Sequence, residues 1–235
     1  MAVVRASREQ LHRLAGFSTC EVADALVKLK HATGGYVPDL ERFSGEEGNA
    51  LVGEVFTVEL VDGRDTNAPK LDGHFVDAAT ADSIVFISTP THTKSASLGG
   101  LLAAALRRKG VRGVVTSGRC RDLAELRDLN FPVFARGHSI LGQSPFTRPS
   151  RVQIPLEIRP QTHPDTPADL AFPSTMVHPY DVVLADVDGV VVVRPELVDE
   201  VLRLAKEGRE VDERCRADLL EGAGVKETFA KHRGK

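Results

Sequence analysis

Between residues 98 and 135 the hydrophobic period switches repeatedly between that of a helix and that of a strand. Residues 98–109 carry Leu101, Leu102, Ala105 and Leu106 at spacings that predict one apolar helical face, and Gly110 fits the position just past a helix end. Residues 111–117 read as a strand, 122–129 as a short helix and 131–135 as a second strand. Strands that alternate with helices through short connections need crossovers between parallel neighbours, so the chain is expected to be α/β with a partly parallel sheet. Trp is absent and aromatic residues make up only 5% of the 235 residues, so Val, Leu, Ile and Ala must build the core. Val-rich runs between Ala-rich helices suit that architecture.

The flanks extend the pattern. Ser18-Thr19-Cys20-Glu21 fits a capping box, Val22, Ala25, Leu26 and Leu29 follow at helical spacing, and Gly34-Gly35 is expected to stop the helix. A strand is predicted at 50–61, a polar turn at 62–67, a helix near 71–80 and a buried strand at 83–88. The Pro-, Gly-, Ser- and His-richer stretch 136–180 contains one plausible strand, 152–158. Strands at 181–185 and 190–193 flank an Asp188-Gly189 turn, and Pro195 opens a helix to about Lys206 at the one helical position where its missing amide is harmless. Residues 210–231 are polar, helical and highly charged. The simplest parse is one domain over 1–208 with a C-terminal helical arm over 209–235 that belongs to it and can bridge subunits.

Several function classes fall away on composition. Lys and Arg number 30 against 33 Asp and Glu, a net charge of −3, so neither a basic nucleic-acid footprint nor a polybasic membrane anchor is expected. The opening residues MAVVRASREQ offer no apolar signal core, and no apolar run approaches the roughly 18 residues a membrane span needs. Cys20, Cys120 and Cys215, an odd and unpatterned set, read as reduced thiols, so a cytoplasmic protein is expected.

Two segments have the residue types for chemistry. Gly99-Gly100-Leu101-Leu102 opens a helix, where bare backbone and free first-turn amides favour a carboxylate or phosphate; the bland alternative is a tight strand-to-helix turn. Ser117-Gly118-Arg119-Cys120-Arg121-Asp122 leaves a strand and enters a helix, the edge at which open α/β sheets place ligands. An Arg can grip a carboxylate in bidentate fashion while a neighbouring Asp binds a hard divalent cation. Alternatively, Asp122 caps its own helix and Arg121 pairs with a surface acid. One helix and one strand separate Gly100 from Arg121, so both segments return to one edge and can converge on a small oxyacid and its metal.

Other candidates are weaker. Cys120 has no adjacent base and reads as packing. The eight histidines (12, 31, 74, 92, 138, 163, 178 and 232) lack metal-ligand spacing, with His138 the best placed to line a pocket and His74 and His92 less so. Asp186-Val187-Asp188-Gly189 lacks the rest of a calcium loop and predicts a hairpin turn. No strand-following GxGxxG with a ribose-binding acid supports a methyltransferase.

The ordered set Leu98-Gly99-Gly100-Leu101-Leu102, Arg108-Lys109-Gly110-Val111-Arg112-Gly113-Val114-Val115, Gly118-Arg119-Cys120-Arg121-Asp122 and Phe131-Pro132-Val133-Phe134-Ala135-Arg136-Gly137 resembles the RraA-like family. That family includes class II 4-hydroxy-4-methyl-2-oxoglutarate aldolases and the regulator of ribonuclease activity A. Ala23-Asp24-Ala25-Leu26 and the 181–190 segment extend the resemblance over about 20–230. It implies a compact α/β sandwich of the swivelling β/β/α kind, assembled as trimers or hexamers. It also implies an aldolase that releases pyruvate and decarboxylates oxaloacetate through a shared pyruvate enolate, or else a non-catalytic protein-binding regulator. Carried over, Arg121 holds the substrate carboxylate and Asp122 ligates Mg²⁺ or Mn²⁺. Gly99, Gly100, Leu101 and Leu102 bind the same 2-oxoacid through backbone amides. A C-terminal acid of a neighbouring subunit completes the metal's water shell; Glu213 is the candidate, with Glu210 and Asp212 close by. Two departures stand out: Ser117 replaces a common Asp, and Gly100 stands where some aldolases carry an acid that orders a metal-bound water.

Overall fold

The strand Ser83–Ser88 (β3) divides its consecutive apolar residues between two cores. Val85 and Ile87 pack with Phe75, Leu106, Val114 and Leu126, whereas Ile84 and Phe86 pack with Val55, Val115, Phe134 and Val183. A strand covered on both faces needs that period of two with no polar face. The structure, a computed structural model, describes residues 3–46, 48–162, 165–167 and 169–234.

Helices Arg8–Leu14 (α1) and Thr19–Lys28 (α2) precede strands Glu41–Ser44 (β1) and Leu51–Asp62 (β2). Phe75–Ala78 (α3), β3, Ala96–Leu98 (β4), Gly100–Arg108 (α4), Gly113–Thr116 (β5), Arg119–Cys120 (β6), Leu123–Asp128 (α5) and Val133–Ala135 (β7) follow. Thr147–Val152 (β8), Leu156–Ile158 (β9), Thr175–Val177 (β10), Val182–Ala185 (β11) and Val190–Val193 (β12) lead to Val198–Leu220 (α6) and Val225–Arg233 (α7).

The main sheet runs β1-β7-β5-β3-β2-β11-β12, with β8 also paired to β2. β2, β3, β5 and β7 are mutually parallel where they neighbour, and the remaining pairs are antiparallel. α3, α4 and α5 cover one face through Phe75, Ala103, Leu106 and Leu126. The hairpin-like pair β9 and β10 covers the other through Leu156, Ile158 and Val177. Sheet, sheet and helices therefore stack in the expected β/β/α order. The predicted 188–189 turn is present, with the Asp186 amide donating to the Gly189 carbonyl at 3.0 Å.

Four local expectations change. α2 ends at Lys28, not at Gly34-Gly35; those glycines instead run the chain onto β12, where the Val192 amide donates to the Gly35 carbonyl at 2.8 Å. Leu101 is 85% exposed, and Ala103 and Leu106 form the buried face of α4. The single strand predicted at 152–158 splits into β8 and β9, because Gln153 takes a left-handed conformation and Pro155 cannot donate to a ladder. α6 continues unbroken to Leu220, so the 208/209 division between domain and arm lies inside one helix.

That helix is firmly seated. Val198, Val201, Leu202 and Ala205 bury against Val182, Leu184, Val191 and Val193. Further along, Arg209 donates to the Glu21 carboxylate at 2.5 and 2.7 Å and to the Gly16 carbonyl at 2.7 Å, with its guanidinium 4.3 Å over the Phe17 ring. α7 folds back on α6, where Asp218 meets Lys231 and His232 and Asp212 meets Arg233. Among the described residues no helix is long and apolar enough to cross a membrane.

Candidate functional site

The two segments singled out in the sequence meet on a small sheet of their own. β4 and β6 pair in parallel, each followed at once by a helix. The Arg121 amide donates to the Leu98 carbonyl at 3.0 Å, which sets the start of α4 beside the start of α5. The convergence expected at the edge of the main sheet is thus achieved one step beyond it, after the turn at Ser117-Gly118 has carried the chain off the end of β5.

Asp122 occupies the helix-start position of α5 in a left-handed conformation, at φ 60° and ψ 45°, and does not cap its own helix. Its Oδ2 instead accepts the Gly100 amide of α4 at 3.0 Å, and Arg121 Nε lies 3.4 Å from the same oxygen. A left-handed non-glycine residue costs roughly 1–2 kcal/mol and persists where the surroundings hold it. Both side chains are partly exposed, 40% for Arg121 and 33% for Asp122.

The paired glycines leave room for two carboxylates. A Cβ on Gly99 would stand 2.5 Å from Asp122 Oδ2, and one on Gly100 would stand 1.8 Å from Glu125 Oε2. The bare backbone is therefore covered by the chain's own carboxylates. With the Gly100 amide engaged, the first-turn amides of Leu101 and Leu102 donate to no other group among the described residues. They sit at the positive end of α4, where an anion is stabilised.

These groups line a cavity of about 480 Å³ that also takes in Glu125 and Gln143. Gln143 Nε2 is buried without a partner among the described residues, and the tip of Arg121 rests against Gly142. Neither Glu125 nor Gln143 is singled out by the sequence. The signal for Glu125 was its spacing of three residues from Asp122, facing a residue with no side chain; the sequence holds no comparable signal for Gln143. A separate cavity between α2, α6 and α7 shares no lining residue with this one, and Glu21 and Asp212 there are paired with arginines.

The remaining candidates lie elsewhere. Glu213 is exposed on α6 and does not line the cavity of its own chain. Ser117 Oγ accepts the Thr89 amide at 3.0 Å and faces a different cavity, so the departure from Asp at this position falls outside the site. Cys120 is fully buried and burial pushes its thiol up to about 12, which fits packing. The His138 ring lies against Phe43, His74 Nδ1 accepts the Val76 amide to cap α3, and His92 sits 3.4 Å from Asp62. His163 lies outside the described residues.

Comparison with known proteins decides the family. The profile of the RraA-like family, described as Aldolase/RraA, matches residues 19–192. The chain belongs to the RraA-like family. Among similar proteins, an uncharacterized protein of Methanocaldococcus jannaschii is 28% identical over 136 residues, 58% of each chain. Protein DlpA of Legionella pneumophila is 23% identical over 220 residues, which are 92% of this chain and 32% of that one. This chain thus spans less than two thirds of either of those relatives. A protein of Halalkalibacterium halodurans, provisionally named 4-hydroxy-4-methyl-2-oxoglutarate aldolase, is 26% identical over 83% of this chain and 81% of its own. In fold, Streptomyces coelicolor RraAS2, described as an unusual member of the RNase ES inhibitor RraA protein family, superposes with a TM-score of 0.72. That match covers 91% of this chain and 99% of the other at 22% identity.

Proposed function

We propose that this RraA-like protein is a metal-dependent carbon–carbon lyase that cleaves 4-hydroxy-4-methyl-2-oxoglutarate to two pyruvates and decarboxylates oxaloacetate. The observation that carries this reading is one cavity holding an Arg, two uncommitted helix-start amides and two carboxylates. Arg121 and the Leu101 and Leu102 amides suit the carboxylate of a small 2-oxoacid, fixing its orientation and lowering the entropic barrier.

The donor set fits a hard divalent cation. Asp122 Oδ1 has no protein partner among the described residues. No group of three His, Cys, Asp or Glu side chains comes together among those residues, and Mg²⁺ or Mn²⁺ suits such a sparse site because Mg²⁺ keeps several waters and needs only one or two carboxylates. When bound, the cation supplies Lewis-acid stabilisation of the enolate charge next to the keto group.

A trimer or hexamer, in which Glu213 of one subunit faces the water shell of another's site, is part of the proposal. Leu101 at 85%, Ile140 at 90% and Leu141 at 44% exposure are apolar side chains near the cavity that a second copy would cover. No nucleic-acid or membrane partner is invoked, and a cytoplasmic setting suits three free thiols.

Pyruvate release from 4-hydroxy-4-methyl-2-oxoglutarate and from oxaloacetate, measured with Mg²⁺ or Mn²⁺ and with EDTA, tests this reading. Turnover should need the metal and collapse in Asp122→Ala and Arg121→Ala. A folded protein with no metal-dependent turnover on either substrate would instead favour the non-catalytic, protein-binding regulator.

A further inference from the structure

The space in front of Gly100 is not empty. The Glu125 carboxylate fills it, with Oε2 1.8 Å and Cδ 2.9 Å from where a Cβ would be, so any side chain at residue 100 would displace it. The Glu125 carboxylate makes no hydrogen bond or ion pair with the described residues, unlike that of Asp122, whose Oδ2 serves both the Gly100 amide and Arg121. Among the described residues, the ionisable groups lining the cavity are Arg121, Asp122 and Glu125. Arginine stays protonated. Cys120 is sealed in the core, and no histidine among the described residues reaches the cavity lining. Glu125 is therefore the uncommitted carboxylate that a bound 2-oxoacid would meet.

Resting on the aldolase reading above, we propose that Glu125 is the proton-transfer residue of the site, acting as base and then as acid within one turnover. Its carboxylate removes the proton of the substrate's 4-hydroxyl. The O–H electron pair becomes the C=O bond of the first pyruvate, the C3–C4 bond breaks, and its electrons pass into the pyruvate enolate. Glu125 then returns the same proton to C3, giving the second pyruvate. The proton balances, nothing is oxidised, and no co-reactant is needed. Oxaloacetate differs at the breaking bond: carbon dioxide leaves without a base, and only the later protonation of the enolate needs an acid. Glu125 should thus matter greatly for cleavage and little for release of carbon dioxide.

Glu125→Gln keeps the size of the side chain at an exposed position and removes its proton chemistry. Cleavage of 4-hydroxy-4-methyl-2-oxoglutarate should fall on the order of 10²–10⁴-fold, the usual worth of a general acid–base. Exchange of pyruvate methyl protons in D₂O, followed by proton NMR, should fall alongside it. Carbon dioxide release from oxaloacetate should fall less than about tenfold, and calorimetric Mn²⁺ binding should persist, which separates loss of a proton carrier from collapse of the site. Undiminished cleavage in Glu125→Gln, or equal losses of cleavage and decarboxylation, would overturn the role while leaving the aldolase reading intact. A folded wild-type protein inactive on both substrates would overturn both.

Discussion

Arg209→Ala removes the clasp between α6 and α2. In the folded chain this guanidinium makes two bonds to Glu21, a third to the Gly16 carbonyl and a stacking contact with Phe17. Arg209 is 37% exposed and Glu21 24%, so solvent screening holds the ion pair to about 1 kcal/mol. With about 0.5 kcal/mol each for the carbonyl bond and the cation–π contact, the loss comes to about 2 kcal/mol. In a protein of this size that lowers Tm by roughly 4–8 °C. The loss also has a pH signature. The hydrogen bond from Arg209 is the main reason the Glu21 carboxyl sits below the ordinary carboxylate range. A carboxyl with a depressed folded-state pKa contributes its stability above the unfolded value, about 4.3, and loses it as pH falls through the folded value. The Tm gap between wild type and Arg209→Ala should therefore be full at pH 7 and shrink below about pH 4. Thermal melts by circular dichroism at several pH values measure it. A gap as large at pH 3 as at pH 7, or no gap at all, would refute the assignment of this clasp.

Gly35→Ala should be more damaging than an ordinary core change. Gly35 has φ +70°, and an added Cβ would stand 2.4 Å from the Val192 carbonyl oxygen and 2.6 Å from Leu26 Cδ1. Backbone strain and overpacking together should cost about 3 kcal/mol in urea unfolding, and a loss under about 1 kcal/mol would show that β12 and α2 yield more easily than their packing indicates. Thiol titration gives an independent check on burial: Cys20 is exposed, whereas Cys120 and Cys215 are buried. A disulfide reagent should titrate one thiol in the native protein and all three in denaturant; rapid native reaction of Cys120 would contradict a thiol pushed up to about 12.

The parts of the fold legible in the sequence are those in which one local pattern decides the outcome. β3 and the β11–β12 hairpin are continuous apolar runs bounded by polar or turn residues, and the Ser18 capping box forms as read, with Ser18 Oγ accepting the Glu21 amide. β8 was hidden because Thr-Arg-Pro-Ser-Arg-Val has no apolar alternation; its place comes from backbone pairing with β2. The continuity of α6 was hidden because its middle turns are highly charged, and its support there comes from α2 and α7 rather than from an apolar stripe. At the site, the adjacency of the two signature segments followed from the helix–strand spacing between them. The pairing of Asp122 with the neighbouring helix did not, since a helix-start Asp reads locally as the cap of its own helix. Glu125 escaped notice for a related reason: an acid in the first turn of an exposed helix is ordinary until the residue opposite is seen to have no side chain.

The unbroken course of α6 makes it a lever. Its fulcrum is the run Val198, Val201, Leu202 and Ala205 packed on the sheet, and Glu213 lies eight residues past Ala205, about 12 Å along the axis, before the next buried residue, Cys215. A tilt of about 10° at the fulcrum would swing Glu213 by about 2 Å, enough to make or break a contact with a bound water. The Arg209–Glu21 and Asp212–Arg233 pairs act as guy-lines on that lever. In the proposed assembly, damage to these pairs in one subunit would be felt as misplacement of a charge in the cavity of the next. Substitutions remote from Arg121 could then reduce turnover in a neighbour whose own sequence is intact, and mixed oligomers of wild-type and Arg209→Ala chains would reveal it.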